Sequence, residues 1–493
     1  MPQPQWEVTV EIKTKLAKMV GEENVSDDPD VLRNFSVDCS LEKPRMASYV
    51  VRPKNTQEIQ KIMEFANEVR LPVVPSSSGI HFKGSALPLQ GGIVLDLRRM
   101  NRILEIDERN RKVRIEPGVT WPQIQAELAK SHLMAMSPFL PHPLKSVVTS
   151  HLEREPTVIT KFEYADPLLT VEFVYPTGRI MRSGSAVVPG ATATAISDGA
   201  FPEGPDIDYW RLLQGAQGTM GIVTWANVKV EYLPEVNKVF FIPFDQMEDT
   251  IEPLYRIQRR MIGLECFLLN KLNLAAILAE KLPADLEELM GTLPEWVLVL
   301  VLSGGRRRPE MKIEYEEEAL REVGKELSLA KTMSHLPGVP RAERKLLEMV
   351  RSGWPADKVY WKFAYRGSCE DIFFVTKMER VPYFFEILKK LLATYKVMDV
   401  GFYVQPIEYG RACHFECNIY YNGSDSREVD AVRKLYAEAA EYLLDSGALF
   451  TRPYGLLADL VYARTASYTA TLKKLKALYD PNNVLAPGKL CFK

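Results

Sequence analysis

Apolar positions recur along the first third of the chain in short blocks around one amphipathic segment. Tyr49-Val50-Val51-Arg52-Pro53 reads as a strand, and Asn55-Thr56 opens a helix running to about Arg70. Ile59, Ile62, Met63 and Ala66 recur at helical spacing and supply its buried stripe, with Thr56 as the expected N-cap. Leu71 to Pro75 is a second strand, broken by the small polar run Ser76-Ser77-Ser78-Gly79. Ile93 to Leu97 and Lys112 to Glu116 follow as strands, then a helix from Trp121 to His132. Residues 168–183 and 222–232 read as strands of a second sheet, and residues 1–45 as a helix and a loop.

From about Asn237 the rhythm lengthens into an α+β pattern. Strands are expected near 237–243, 264–269, 296–303, 358–366, 400–406 and 411–420, and helices near 246–261, 310–327, 381–394 and 426–445. The last forty residues return to helix and loop, with turns at Pro481-Asn482-Asn483 and Pro487-Gly488. The two rhythms imply two domains, with the tail rejoining the first.

At 493 residues, a prior of roughly 150 residues per domain gives two to four domains. A formal charge of −2 leaves no field for a polyphosphate, so nucleic acid is not an expected partner. Arg306-Arg307-Arg308 is diluted by the acidic stretch that follows. The longest strongly apolar run, Trp296 to Leu302, is far short of the roughly 18 to 20 residues a membrane span needs. Six unpaired-looking cysteines and a polar start without an apolar h-region point to a cytoplasmic protein with reduced thiols.

No G-x-G-x-x-G follows a strand, and Gly79 to Gly84 lacks the lysine of a phosphate-loop motif. Cys413 and Cys417 flank a histidine, but alternation puts both sulfurs on one strand face and His414 on the other, which does not suit a metal. Two glycine-rich stretches remain, residues 73–84 and 213–224. Small residues there leave main-chain N–H groups open to an anion, as a loop-held diphosphate requires.

At these residues the chain resembles the flavoproteins of the vanillyl-alcohol oxidase and p-cresol methylhydroxylase family. VVPSSSGIHFKGSALP (73–88) is similar to the family's first diphosphate loop, and VVTSHLER (147–154) to its second flavin-contacting stretch. IVLDLRRMNRILEID (93–107), VRIEPGVTW (113–121) and VYPTGRIMRSG (174–184) resemble its following strands. GPDIDYWRLLQGAQGTMGIVT (204–224) resembles the last FAD segment, and LYDPNNVLAPGK (478–489) the C-terminal signature.

The resemblance implies an α+β, two-domain PCMH/VAO-type FAD-binding fold with a ferredoxin-like α+β cap domain. The FAD-binding domain would be residues 1–235 (core about 45–235), the cap 236–449, and the C-terminal segment 450–493 would rejoin the first domain. Carried over residue by residue, FAD is expected against Pro75, Ser76, Ser77, Ser78, Gly79, Ile80, His81, Gly84 and Ser85. Pro141, Thr149, Ser150, Glu153 and Arg154 continue the site, followed by Gly218, Gly221, Ile222, Val223 and Lys489. Noncovalent FAD is expected, because His81 sits in a poor copy of the family's attachment pattern.

Departures bear on the substrate. The family's two phenolate-binding tyrosines fall at Phe82 and Thr451, and only Arg452 matches the clamp, so para-phenols become doubtful while a guanidinium still suits an anionic oxygen. The carboxylate expected near the flavin falls on Glu163 by counting and on Asp166 by local pattern. In the cap, period two puts His414, Glu416, Asn418 and Tyr420 on one strand face and Cys413, Phe415, Cys417 and Ile419 on the other. His414 is the expected general base or alcohol orienter, with Glu416 fixing its tautomer or binding substrate. Tyr403, Gln405 and Trp361 are further candidates.

These readings give an FAD-dependent oxidoreductase acting on an alcohol bearing a carboxylate or an aromatic ring. D-2-hydroxy-acid dehydrogenases remain substrate models, although the Gly-Asp-Gly-Asn-x-His segment of many of them is missing. The rival reading is a non-catalytic flavin-bearing electron-transfer subunit of an iron–sulfur complex, which would need neither His414 nor Glu416. Expected partners are a small-molecule substrate and an electron-acceptor protein, and a homodimer is a family-level expectation.

Overall fold

The computed structural model describes residues 5–161, 167–187, 199, 201–204, 209–329 and 332–493. Its strands form three sheets. The first has the order Val25–Ser26, Tyr49–Val51, Ile93–Asp96, Val73–Ser76, and its last three strands run parallel. Crossing between parallel strands requires the helix Thr56–Val69, which buries Ile59, Ile62, Met63 and Ala66 against the sheet as its stripe predicts. Its N-cap is Asn55, not Thr56. Asn55 is extended and its side chain accepts from the Glu58 N–H at 2.9 Å, whereas the Thr56 hydroxyl donates to Glu172 of the second sheet at 2.9 Å.

The second sheet is antiparallel, in the order Ile103–Asp107, Lys112–Ile115, Ile222–Tyr232, Leu168–Val174, Ile180–Arg182. The loops that follow Val73–Ser76 and precede Ile222–Tyr232 meet where the two sheets adjoin. The C-terminal segment closes that junction. Leu485 bridges to Val73. The buried Lys476 ammonium donates to Thr219 O and Leu485 O at 2.8 Å, and to the Asp480 carboxylate at 2.5 Å. A buried lysine with three acceptors ties tail to loop, and loss of one partner would leave a buried charge uncompensated.

The third sheet is antiparallel throughout, in the order Val236–Phe244, Trp296–Gly304, Glu265–Asn270, Val400–Ile407, Ala412–Tyr421, Ser368–Thr376. Cys413, Phe415, Cys417 and Ile419 enter an apolar core that includes residues of the helices Ile251–Arg259, Pro309–Glu326, Val381–Tyr395 and Ser426–Asp445. The opposite face packs on the helices Lys271–Leu278, Ala284–Thr292 and Ala342–Ser352 and on Leu140 and Val158 from the earlier part of the chain.

The expected strand at 358–366 is instead a loop and the short helix Trp361–Ala364. Tyr360 and Trp361 are both buried, which neighbours on a one-sided strand cannot both be. The edge strand lies later, at Ser368–Thr376, in a run whose Glu370 and Asp371 mask its strand character. Helices at Lys271–Leu278, Ala284–Thr292 and Ala342–Ser352 also went unpredicted. Among the described residues no helix is long and apolar enough to cross a membrane.

Candidate active site

A channel runs between the first two sheets. Pro75, Ser77, His81 and Ser85 of the first glycine-rich loop line one side, and Gly218, Gly221, Ile222 and Val223 line the other. Thr149 and Glu153 of the helix Val147–Leu152 and its end complete it, with Leu97, Val148, Leu152 and Leu213 as apolar wall. Beside His81, Glu153 and Gln217, its polar atoms are the hydroxyls of Ser77, Ser85 and Thr149 and main chain, a donor set that suits a diphosphate. At Gly218, with φ +75°, a Cβ would stand 2.6 Å from Pro75 Cγ, so only bare backbone can approach this closely. His81 is a neutral wall residue: burial, then Lys145 and Lys489, push it down to about 3, and its Nε2 lies 2.8 Å from Ser76 Oγ.

Lys489 is buried at the channel's rim, its ammonium bonded to the Ser85 carbonyl. Burial drags it down to about 7 although Asp38 and Glu153 pull the other way. A buried ammonium so poorly compensated suits an added anion. Hydroxyl-rich loop, glycine cradle, apolar wall and undercompensated lysine together fit FAD.

A second cavity, of about 110 Å³, lies between the channel and the third sheet and meets the channel at Glu153, which lines both. The aromatic rings of Phe82, Phe139, Tyr360, Trp361, Phe373, Tyr403 and Tyr454 form much of its lining. His414 and Glu416 reach it from the strand Ala412–Tyr421, and Arg452 from the C-terminal segment. The predicted alternation is what aims them: Asn418 and Tyr420 share that face, and both faces of the strand are buried.

His414 Nε2 stands 3.0 Å from one oxygen of Glu416, and Lys362 Nζ 2.7 Å from the other. Burial raises a carboxyl, but Lys362 and His414 overcome it and hold Glu416 well below the usual carboxylate range. An anionic Glu416 only accepts, so His414 Nε2 carries the hydrogen and Nδ1 is the basic nitrogen. Burial lowers His414 itself, against the pull of Glu416, which leaves it neutral at pH 7. Arg452 stacks on Phe373, its guanidinium carbon 4.0 Å from the ring centroid, and lies 3.9 Å from Glu155. Lys145 bridges Glu153 and Glu155 at 2.7 and 2.8 Å. Burial disfavours the charge on Glu155, yet Lys145 and Arg452 keep it ionised.

The structure brings ten of the nineteen expected FAD residues to the channel: Pro75, Ser77, His81, Ser85, Thr149, Glu153, Gly218, Gly221, Ile222 and Val223. Others act around it. Ser76 holds His81, and Ser78 Oγ accepts from Ser146 N at 3.0 Å. Ser150 Oγ accepts from Trp121 Nε1 at 3.0 Å, inside the core. Two amides expected to face an anion are already engaged: Gly79 donates to Leu144 O at 2.9 Å and Gly84 to Asp38 at 2.6 Å. Ile80 is half-buried beside them, and Arg154, with φ 56°, packs over Gly215. Pro141 belongs to the second cavity, and Gly84 and Lys489 line an outer cleft that shares Gln217 with the channel. Glu163 and Asp166 lie outside the described residues.

Sequence reasoning missed Lys145, Glu155, Lys362 and Asp371, all of which line the second cavity. Glu155 directly follows the Glu153-Arg154 pair and was open to notice. Of the tyrosines that line this cavity, Tyr403 was expected, and Tyr360 and Tyr454 were missed. Tyr360 donates to Leu140 O at 3.1 Å, Tyr403 to Gln405 at 2.8 Å, and Tyr454 hydrogen-bonds Glu153. Gln405 therefore serves from behind Tyr403.

Two sheets clasping a dinucleotide channel, under a third sheet that roofs an aromatic cavity, define a flavin-dependent oxidoreductase. A family model described as an FAD binding domain matches residues 47–184. The glycolate oxidase subunit GlcD of Bacillus subtilis is 25% identical across 98% of this chain and 97% of its own length. A D-lactate dehydrogenase of Anaerostipes hadrus is 23% identical across 90% and 89%. The crystal structure of p-cresol methylhydroxylase with substrate bound superposes with a TM-score of 0.86 at 19% identity, covering 99% of this chain and 98% of that one. Residues 47–184 thus match an FAD binding domain, and the whole chain shares the fold of p-cresol methylhydroxylase.

Proposed function

We propose that this protein oxidises an alcohol carbon attached to an aromatic group to the carbonyl, residues 1–235 and 450–493 holding FAD and residues 236–449 forming the cap. The observation that carries this reading is the hydrogen-bonded His414–Glu416 pair in the wall of an aromatic cavity that opens onto the channel. Bound FAD would supply the two-electron acceptor for the hydride of the alcohol carbon. His414 takes the hydroxyl proton at Nδ1, so the alcohol loses one hydride and one proton in becoming a carbonyl. Glu416 fixes the tautomer and compensates the imidazolium. The aromatic walls orient the ring and exclude water, and Arg452 presents a cation to an oxygen of the substrate. A solely electron-transferring subunit needs neither member of the pair.

The relatives' names divide between hydroxy acids and cresol. Charge supports the aromatic side. Glu153, Glu155, Asp371 and Glu416 already line the cavity, and the cations facing them are shared with these carboxylates. A substrate carboxylate would add to that negative field. Arg452, a cation in the cavity wall, is what supports the hydroxy-acid alternative.

The test is the absorption spectrum of the purified protein, repeated after acid precipitation, then anaerobic bleaching by benzylic alcohols and by D-2-hydroxy acids. Yellow supernatant and bleaching by the benzylic alcohols are expected. Colourless protein would overturn the whole reading, and bleaching by hydroxy acids alone would overturn its aromatic part.

Lys489 gives an independent check. Its folded value, depressed to about 7, means that between pH 7 and the ordinary lysine range the unfolded chain binds one more proton. The FAD-free protein should therefore gain stability as pH rises through that window. A bound diphosphate restores the ammonium, so FAD binding at pH 8 should take up a proton. Calorimetry in buffers of different ionisation enthalpy measures this, and an uptake near zero would place the diphosphate away from Lys489.

A further inference from the structure

The His414–Glu416 pair does not stand alone. Lys362 Nζ bridges Glu416 and Asp371, 2.7 Å from each. Asn418 Nδ2 closes the circuit from the other side, donating to Asp371 at 2.7 Å and to Glu416 at 2.6 Å. Asn418 is itself fixed by Asn273, whose amide donates to Asn418 Oδ1 at 2.7 Å and whose own oxygen accepts from Tyr420. Three elements contribute: the short helix Trp361–Ala364, the edge strand Ser368–Thr376 and the strand Ala412–Tyr421.

The charges around this ring cancel pairwise, and those within it do not. Lys83 is bonded to Glu370, and Lys145 and Arg452 face Glu153 and Glu155. Within the ring one cation, Lys362, faces two carboxylates. Glu416, on the same strand as His414, pulls toward the charged imidazole. Lys362 from the short helix and Arg452 from the C-terminal segment push against it. Strand Val400–Ile407 presents the Tyr403 ring and the edge strand the Phe373 ring, each with its centroid 5.8 Å from that of His414.

Resting on the reading of His414 as the base, we propose that Lys362 and Asp371 are positioning residues: the ring they form with Glu416 and Asn418 carries one surplus negative charge, and that surplus lets His414 hold the alcohol's proton. Before the reaction the ring and His414 sum to −1. With the proton on His414 they sum to zero, so the buried site ends neutral when the substrate has lost its proton. Lys362 alone would be too positive a neighbour for an imidazolium. Asp371 offsets it while holding the ammonium against Glu416. The two substitutions that alter the ring's charge should therefore move His414 in opposite directions.

The test uses FAD-loaded protein labelled with ¹⁵N in its histidine rings. There are six histidines, and the His414 signals are those absent from His414→Gln. Asp371→Asn keeps the shape and one of the two acceptors but removes the surplus, and should lower the His414 titration by about one pH unit. Lys362→Gln doubles the surplus and should raise it by about one unit. The acid limb of the pH dependence of kcat should move the same two ways, and Lys362→Arg should restore it. Should Lys362→Gln fail to fold, Asp371→Asn and Lys362→Arg decide the matter. No shift in Asp371→Asn, or shifts of one sign in both charge variants, would overturn the proposal. Unchanged bleaching in His414→Gln would instead remove the base itself, a separate failure.

Discussion

Replacing His414 by Ala should slow anaerobic bleaching by the alcohol substrate by about 10²- to 10⁴-fold, the range a positioned general base contributes. His414 is 2% exposed and bonded through Nε2 to an ionised Glu416, so the removed group is a fixed acceptor at Nδ1, and bulk water is a poor replacement in a buried cavity. The loss should fall on kcat with KM little changed, because the proton moves in the transition state and the aromatic walls still bind the ring. Burial also sets the pH at which the base works. It lowers His414 below the ordinary histidine value, and since the base acts unprotonated, the acid limb of the wild-type profile should lie below that value. Stopped-flow reduction across pH 5 to 8 measures both quantities. A wild-type rate in the variant would remove His414 from the chemistry.

Why this strand was legible and its partners were not comes down to range. Ala412–Tyr421 alternates, and alternation is a local rule: side chains two apart share a face whatever the rest of the chain does. The glycine-rich loops were legible because small residues and positive φ leave a mark in composition. Lys83 and Glu370, by contrast, are 287 residues apart, and nothing local to either one points to the other. Lys362 with Asp371 and Lys145 with Glu155 are only 9 and 10 residues apart, but no periodicity pairs them. The first pair spans the turn from a helix to a strand, and the second flanks the helix Val147–Leu152. The segment 358–366 failed for a different reason. Tyr360 and Trp361 both turn inward into one aromatic cluster with Phe82, Phe139 and Phe363, and short aromatic runs carry no dependable period. Bare glycine N–H groups also look alike in sequence whether they await an anion or are already bonded, as Gly79 and Gly84 are.

Gly218→Leu should yield folded protein that purifies without yellow colour, with FAD binding weakened by about 10²-fold or more. The position holds φ +75°, which costs a leucine roughly 1–2 kcal/mol. Its Cβ would also lie 2.6 Å from Pro75 Cγ, and overpacking a tight contact costs about 1–3 kcal/mol more. Both Gly218 and Pro75 line the channel, so relief of that clash separates the two loops that grip the dinucleotide. At about 1.4 kcal/mol per factor of ten, the sum of about 2–5 kcal/mol corresponds to about 30-fold to a few thousandfold, a range centred above a hundredfold. Backbone strain and blockage are separable in the same loop. Gly215 has φ +71°, but a Cβ there meets nothing closer than 3.5 Å, so Gly215→Ala bears the strain without the clash. Gly215→Ala should keep its flavin at some cost in thermal stability, and Gly218→Leu should lose it while its far-UV circular dichroism stays native. Equal flavin content in the two variants would mean that the close approach of Gly218 to Pro75 has no part in holding the cofactor.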